Sequence, residues 1–502
     1  DEPPAAWLAE AAPGGRIGYD PLLHGEEALR RFIEAGIALV PLDDNPLDAV
    51  WRDRPPPPAA PIVPHPLDRA GLASAEKRAA VAEDLRRAGQ DAAVLCDPAS
   101  IAWLLNIRGG DVPFTPFPLS FALQHADGSC DLFVAPAKLT DETRAWLGNA
   151  VAVAAPGFAA GDPLPSRLAS LRGKTVRVDP DRSPAWFAQR LREAGAVVAS
   201  GMDPCVLPKA RKNATEQAGA RAAHARDAVA VIRFLHWLND AAGTQTEMSA
   251  AARLLAWRAE AAEFRGESFP AISGAGPNGA VIHYRVTEES DRPIGARELY
   301  LVDSGAQYVD GTTDVTRTVW TGADAPPAPI RDRFTRVLKG HIAVATLVFP
   351  VGVAGPHLDA FARAALWQVG LDFDHGTGHG VGSYLSVHEG PVTLSRTARP
   401  VPLASGMILS DEPGFYAPGE YGIRLENLLL VQDAELEGAA KPFLRFETLT
   451  WAPFDRRCID VALLTRAERM WLDAYHAEVL SRVGPALPED ARSWLESACA
   501  PL

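Results

Sequence analysis

The spacing of apolar and polar positions changes several times along this chain, and each change marks an element. The segments GGRIGYDPLL, EEALRRFIEAG and IALVPLDDNPLDAVW alternate strand-like and helix-like periods. A proline-rich stretch from Arg54 to Pro66 then predicts an extended linker, because proline fixes φ and removes a backbone donor. Beyond it, AEKRAAVAEDLRRAG has helical spacing and stops at a glycine. DAAVLCDP predicts a strand, IAWLLNIRG a strand or a short helix, and SFALQHADGSCDLFVA a hairpin turning at Asp127 and Gly128.

In the second half, Asn213 followed by Glu216 predicts a capping box at the head of a long helix, with Gly243 as its stop. A second helix is expected from about Glu247 to Glu263, followed by strand signals interrupted by a helix near His357 to Val369. Trp367 lies on the apolar stripe of that helix, which predicts core or dimer packing. The tail beyond Leu463 reads as two amphipathic helices. In LYLVDSGAQYVDGTTDVTRTVW, alternation around a Gly- and Asp-rich turn predicts a hairpin that sets Asp303 and Asp314 facing each other on paired strands.

A length of 502 residues is too great for one ordinary core and predicts two or three domains. No run of about 18 apolar residues occurs, so no membrane helix is expected and no membrane partner is inferred. The opening DEPPAAWLAE lacks the basic-then-apolar order of a signal peptide, which makes the cytoplasm the expected compartment. Five cysteines, Cys96, Cys130, Cys205, Cys458 and Cys499, are odd in number, widely spaced and without a C-x-x-C pair. That pattern argues against a disulfide framework and a thiolate zinc site, leaving buried small hydrophobes. A net charge of −14 opposes nucleic-acid binding. The one dense basic cluster, Lys209 to Lys212, precedes a helix and reads as an interdomain junction.

Five residues stand out as candidate metal ligands: Asp303 in LYLVDSG, Asp314 in GTTDVTRT, His379 in HGTGHGVG, Glu412 in SDEPGFY and Glu426 in GIRLENL. A single Asp in a turn is most often an Asx-turn or a cap, and a single Glu beside an apolar run is most often solvated. The conjunction carries more. Four carboxylates in one pocket would raise each other's pKa until some neutralised, whereas two divalent cations would cancel the charge and supply an activated water.

These motifs, together with KARKNATEQAGARAAHARDAVAVIRFLHWL and SFPAISGAGPNGAVIHYR, resemble the catalytic domain of the Xaa-Pro aminopeptidases (aminopeptidase P) from about Lys209 to the C-terminus. That family shares the pita-bread fold with prolidase, methionine aminopeptidase and creatinase. The resemblance implies an α/β (α+β) protein with creatinase-like N-terminal domains. Expected boundaries are 1–66 for the remnant of a first such domain with its linker, 67–208 for a second, 209–460 for the catalytic domain and 461–502 for a helical extension. The first domain is about half the length the resemblance implies and is expected to be truncated, with unpaired strand edges. In the second, Trp103, Asn106 and Arg108 occupy the family's W-L-x-N-x-R-G stretch, where Trp103 is expected in the core and Arg108 in a structural ion pair.

For the site, the resemblance implies that Asp303 chelates one ion, His379 and Glu412 serve the other, and Asp314 and Glu426 bridge both. It also implies hydrolysis of an N-terminal Xaa-Pro bond by a hydroxide bridging the two ions, with Glu412 as proton shuttle. His283, His375 and His388 match the family's catalytic and substrate-orienting histidines, and Arg424 an outer-shell position. Hard oxygen ligands suit Mn²⁺, with Zn²⁺ or Co²⁺ as alternatives, and the family implies a homodimer and peptide substrates carrying proline second. Two alternatives stay open. Prolidase uses the same five ligands but needs a group for the free carboxylate of its dipeptide. A non-catalytic peptide-binding module on the same fold would have lost the ligands.

Overall fold

The computed structural model describes residues 2–502 and divides into two compact units, residues 1–209 and 210–502. In the first unit a six-stranded mixed sheet runs in the order Val197–Ser200, Thr175–Val178, Ala92–Leu95, Phe121–His125, Cys130–Phe133 and Val151–Ala154. The expected hairpin is there, with Phe121 opposite Phe133 and Gln124 opposite Cys130. The IAWLLN segment resolves as a helix, Pro98–Leu105, because Asp97 accepts from the Ala99 amide and proline occupies the first helical position. Trp103 is buried with the Lys77 ammonium 4.5 Å from a ring centroid, and buried Arg108 donates to the carbonyls of Ala102 and Ile107. The Arg16–Tyr19 and Ala38–Pro41 strands pair in parallel as a sheet of their own. All five cysteines are free, four buried and Cys96 partly so.

The second unit opens with the helix Ala214–Ala241, where Asn213 accepts from the amides of Thr215 and Glu216 while Glu216 accepts from the Asn213 amide. Its neighbour, Glu247–Arg258, is shorter than the expected span to Glu263 because the chain turns into the Phe264–Glu267 strand. Two sheets carry the site. One holds Ile272–Ala275, Leu299–Ser304 and Val315–Trp320; the other holds Val348–Pro350, Phe443–Thr448, Asn427–Ala434 and Ile408–Asp411. A short hairpin, Gly414–Ala417 with Tyr421–Arg424, connects Ile408–Asp411 to Asn427–Ala434 within the second sheet.

Three corrections to the sequence expectations follow from tertiary packing. Asp303 faces Thr316 rather than Asp314, which sits just before the second strand, and the connection folds into further short strands, Ala306–Tyr308 and Gly311–Thr312. Since side chains alternate along a strand, Asp314 and Thr316 share a face, so Asp303 and Asp314 still meet on one side. A helix at Ala328–Ala345 lies where only strands were expected. Its buried Phe334, Val337, Leu338, Ile342 and Ala345 have helical spacing, but polar residues and Gly340 dilute the signal. Trp367 closes the Gly355–Trp367 helix 45% exposed, which rules out the core half of its expected packing. The tail forms the two expected helices, Arg466–Val483 and Glu489–Ala498.

Candidate metal centre

All nine residues singled out in the sequence line one cavity of about 390 Å³: His283, Asp303, Asp314, His375, His379, His388, Glu412, Arg424 and Glu426. Asp303 comes from the first sheet and Asp314 from the residue just before its Val315–Trp320 strand, Glu412 and Glu426 from residues just beyond the paired ends of the Ile408–Asp411 and Asn427–Ala434 strands. Strand ends are stiff mounts, and a metal site needs ligand positions held within fractions of an ångström.

His379 lies in a segment whose glycines permit close backbone approach. A Cβ at Gly378 would fall on the carbonyl oxygen of Ser410, and one at Gly380 on that of Glu389. The Gly355–Trp367 helix holds this segment from behind. Arg363, paired with Asp359 at 2.7 Å, donates to the His375 carbonyl, and Thr377 donates to Asp359. The His379 Nδ1–H donates to the Gly380 carbonyl at 2.9 Å, so its Nε2 carries the lone pair, as in a ligating imidazole. That Nε2 lies 3.5 Å from Asp314 Oδ2 and 3.6 Å from Glu412 Oε1.

Donor atoms of Asp314, His379 and Glu426 all fall within 4.8 Å of one another. Asp303 Oδ1 and Asp314 Oδ1 are buried with no hydrogen-bond partner among the described residues. Burial pushes the carboxyls of Asp314 and Glu426 well above the usual range; Asp303 and Glu412 add to this at Asp314, as do Asp314, Asp303 and Glu412 at Glu426. Glu412 is also raised, chiefly by burial, against the pull of His379 and Arg424. Orphaned oxygens in a crowded acidic pocket, with one imidazole lone pair aimed at them, form a donor set that fits hard divalent cations.

The outer contacts form a chain. Arg424 donates to Asp303 Oδ2 at 2.8 Å and to the Tyr416 hydroxyl at 2.6 Å, and that hydroxyl is 2.9 Å from His375 Nε2. Since the His375 Nδ1–H donates to the Gly376 carbonyl, Nε2 accepts from Tyr416. Burial, then Arg424, holds the His375 pKa down to about 4. Thr316 donates to Glu426 Oε2 at 2.6 Å and Ser410 to Glu412 Oε1 at 3.1 Å. The His388 ring packs edge-on to His379 at 4.1 Å; burial and then His379 and His283 hold its pKa down to about 4, although its edge opens on the cavity. His283 is exposed at the rim.

Tyr416, which holds the outer contacts, and Arg285, on the cavity wall, were not singled out from the sequence. Tyr416 stands inside the quoted SDEPGFY motif, where only its hydrogen bonds reveal a role. Arg285, two residues after His283, closes the quoted SFPAISGAGPNGAVIHYR motif and is exposed on the wall with no ion-pair partner among the described residues, a placement that only the structure reveals.

Residues 218–433 match the model of metallopeptidase family M24, residues 53–216 that of the creatinase/prolidase N-terminal domain, and residues 442–502 the C-terminal region of peptidase M24. The chain belongs to metallopeptidase family M24, with a creatinase-type N-terminal region and a pita-bread catalytic unit. Within that family it is 40% identical to aminopeptidase P2 of Arabidopsis thaliana, across 99% of this chain and 75% of that one. It is 39% identical to a probable Xaa-Pro aminopeptidase P of Aspergillus niger, across 99% and 83%. Among solved structures, the X-prolyl aminopeptidase of Caenorhabditis elegans, described as a cytosolic enzyme with a di-nuclear active site, superposes with a TM-score of 0.93 at 34% identity, covering 100% of this chain and 83% of that one. The prolidase of Pyrococcus horikoshii, at 21% identity and a TM-score of 0.58 over 76% of this chain and 99% of that one, shares the fold.

Proposed function

We propose that this protein is a metal-dependent aminopeptidase that hydrolyses the N-terminal Xaa-Pro bond of peptides, with Asp303, Asp314, His379, Glu412 and Glu426 holding two divalent cations. The observation that carries the reading is the convergence of those five donors in one cavity, with buried oxygens that have no hydrogen-bond partner among the described residues. The likeness along the whole chain to X-prolyl aminopeptidases supports the substrate class. The ions would supply an activated water and a polarised scissile carbonyl. We assign them as Mn²⁺, since oxygen donors predominate, with Zn²⁺ or Co²⁺ as alternatives.

Glu412 is the proton carrier in this reading. Its pKa is raised, chiefly by burial, so it takes a proton readily and can return it to the proline nitrogen. His388 and His283 face the cavity and orient the substrate; His388 is neutral at pH 7 and can donate to developing negative charge. His375 accepts from Tyr416, which accepts from Arg424, and this chain of hydrogen bonds holds the guanidinium that donates to Asp303. A Xaa-Pro bond has no amide N–H, so a site that works on the carbonyl loses nothing when proline follows. The cytosol is the compartment we assign, on the likeness to the nematode enzyme. A homodimer is assigned on the family resemblance, and exposed Phe361, Trp367 and Val369 offer it an apolar surface.

One observation favours a second reading. Arg285 is a cavity-wall cation without an acidic partner among the described residues, and a free guanidinium is what a dipeptide carboxylate would need. Mass spectrometry of Mn²⁺-loaded protein incubated with Ala-Pro, Ala-Pro-Ala-Ala and Ala-Ala-Ala-Ala separates the two. Alanine released from Ala-Pro-Ala-Ala and not from Ala-Ala-Ala-Ala is the expected result. Cleavage of Ala-Pro alone makes the protein a prolidase, and cleavage of none with metal bound leaves a binding module.

A further inference from the structure

His341 is buried completely on the Ala328–Ala345 helix, outside the cavity, and the reading above gives it no task. Its Nδ1 lies 3.1 Å from the main-chain oxygen of Asp411 and also 3.1 Å from Asp411 Oδ2. The angles direct the N–H to the main-chain oxygen and leave both carboxylate oxygens of Asp411 without a donor among the described residues. Its Nε2 accepts from the Asn427 side-chain amide at 3.2 Å. A neutral imidazole can make this one donation and one acceptance.

The two partners are not independent. Asp411 and Asn427 are the directly opposed pair that ends the ladder between the Ile408–Asp411 and Asn427–Ala434 strands. The next residue after Asp411 is Glu412, and the residue before Asn427 is Glu426. Because side chains alternate across a strand, a group that pins Asp411 and Asn427 from the helix side sets where Glu412 and Glu426 stand on the cavity side. Asn427 is held further: Arg317 donates to its Oδ1 at 2.8 Å and to the Glu426 carbonyl at 2.6 Å.

The helix that carries His341 is itself locked in depth. A Cβ at the preceding Gly340 would fall on the carbonyl oxygen of Ala362, so the helix seats against Gly355–Trp367 as closely as backbone permits. His341 therefore meets the ladder end on a rigid mount, and Phe454 and Trp471 pack against its ring at 5.3 and 6.1 Å between centroids.

We propose that His341 is a positioning residue for the metal centre: by bridging Asp411 and Asn427 it fixes the separation of Glu412 and Glu426, and so the affinity for divalent cations. The proposal rests on the reading of those two glutamates as ligands. The probe is Mn²⁺ itself, titrated calorimetrically into chelator-stripped parent protein and into His341→Phe, which keeps an aromatic ring and loses both hydrogen bonds. The expected result is at least a tenfold weaker apparent Kd for one Mn²⁺ equivalent, and a kcat on Ala-Pro-Ala-Ala at least tenfold lower with KM within about twofold.

His341→Asn and His341→Gln, each able to keep one of the two hydrogen bonds, are expected to fall between parent and His341→Phe, and they take its place if it does not fold. A lowered melting temperature with parent-like Mn²⁺ affinity and kcat overturns the proposal, as does failure of all three variants to fold. Parent protein that binds no Mn²⁺ overturns the metal-centre reading and this proposal with it. Parent protein that binds two equivalents, with variants that bind them equally well, overturns the role of His341 alone.

Discussion

Asp314→Asn separates what the carboxylates do for metal from what they cost the fold. In the metal-free protein Asp314 has a buried oxygen with no partner among the described residues, and one of its donor atoms lies within 4.8 Å of one of Glu426's. Two unit charges at that distance repel by roughly 3 kcal/mol at an effective dielectric constant of about 20. The pair avoids part of this by retaining protons, which is the upward shift of both carboxyls, caused first by burial, then by Asp303 and Glu412 at Asp314 and by Asp314, Asp303 and Glu412 at Glu426.

The sign of the pH dependence follows. A carboxyl raised in the folded state contributes stability that is fully present below its unfolded pKa and is lost as pH rises through the folded one. Metal-free parent and Asp314→Asn should therefore have similar melting temperatures near pH 4. The variant should pull ahead at pH 8 by about 1–3 kcal/mol, or roughly 2–8 °C. The same substitution should cut kcat/KM on Ala-Pro-Ala-Ala in Mn²⁺ by at least ~10³-fold, about 4 kcal/mol of lost transition-state stabilisation. Thermal melts in chelator from pH 4 to 8, with kinetics in Mn²⁺, test both halves. A variant less stable than the parent at pH 8 would refute the account of a repulsive cluster, and activity within tenfold of the parent would refute ligation by Asp314.

Gly378→Ala places a methyl on the Ser410 carbonyl oxygen and must push His379 away from Asp314 and Glu412. A stability loss of about 1–3 kcal/mol with weaker Mn²⁺ binding is expected, read by melts and calorimetry; parent-like metal affinity would show that the His379 segment yields. Away from the site, burial holds His65 down to a pKa of about 2 and His476 to about 3. Each stays neutral in the fold while the unfolded chain takes a proton below 6.5, so stability should fall with pH by about 2 kcal/mol per histidine between pH 7 and 5. Urea denaturation of metal-free protein at the two pH values, with His476→Leu expected to flatten the slope for the 210–502 unit, is the check.

Much of the site was legible because its motifs are local. Asp303, Asp314, His379, Glu412 and Glu426 each sit in a short segment whose glycines, prolines and alternation mark a strand end or tight loop, and all five line the one cavity. Helix caps such as Asn213 with Glu216 are equally local and stand where the pattern puts them. Periodicity was a weaker guide where polar positions diluted it, as in the Ala328–Ala345 helix, and where a chain turned early, as after Arg258.

What the chain order by itself determined was the menu of donors and the elements that carry them. Only tertiary structure decided the register, with Asp303 opposite Thr316, and the outer contacts, with Tyr416 joining His375 to Arg424 and His341 joining Asp411 to Asn427. The physical reason is range. A cap or turn is settled by dihedral preferences and hydrogen bonds a few residues apart, whereas His341 and Asn427 are 86 positions apart and meet only because burying the apolar face of one helix brings it against the end of one ladder.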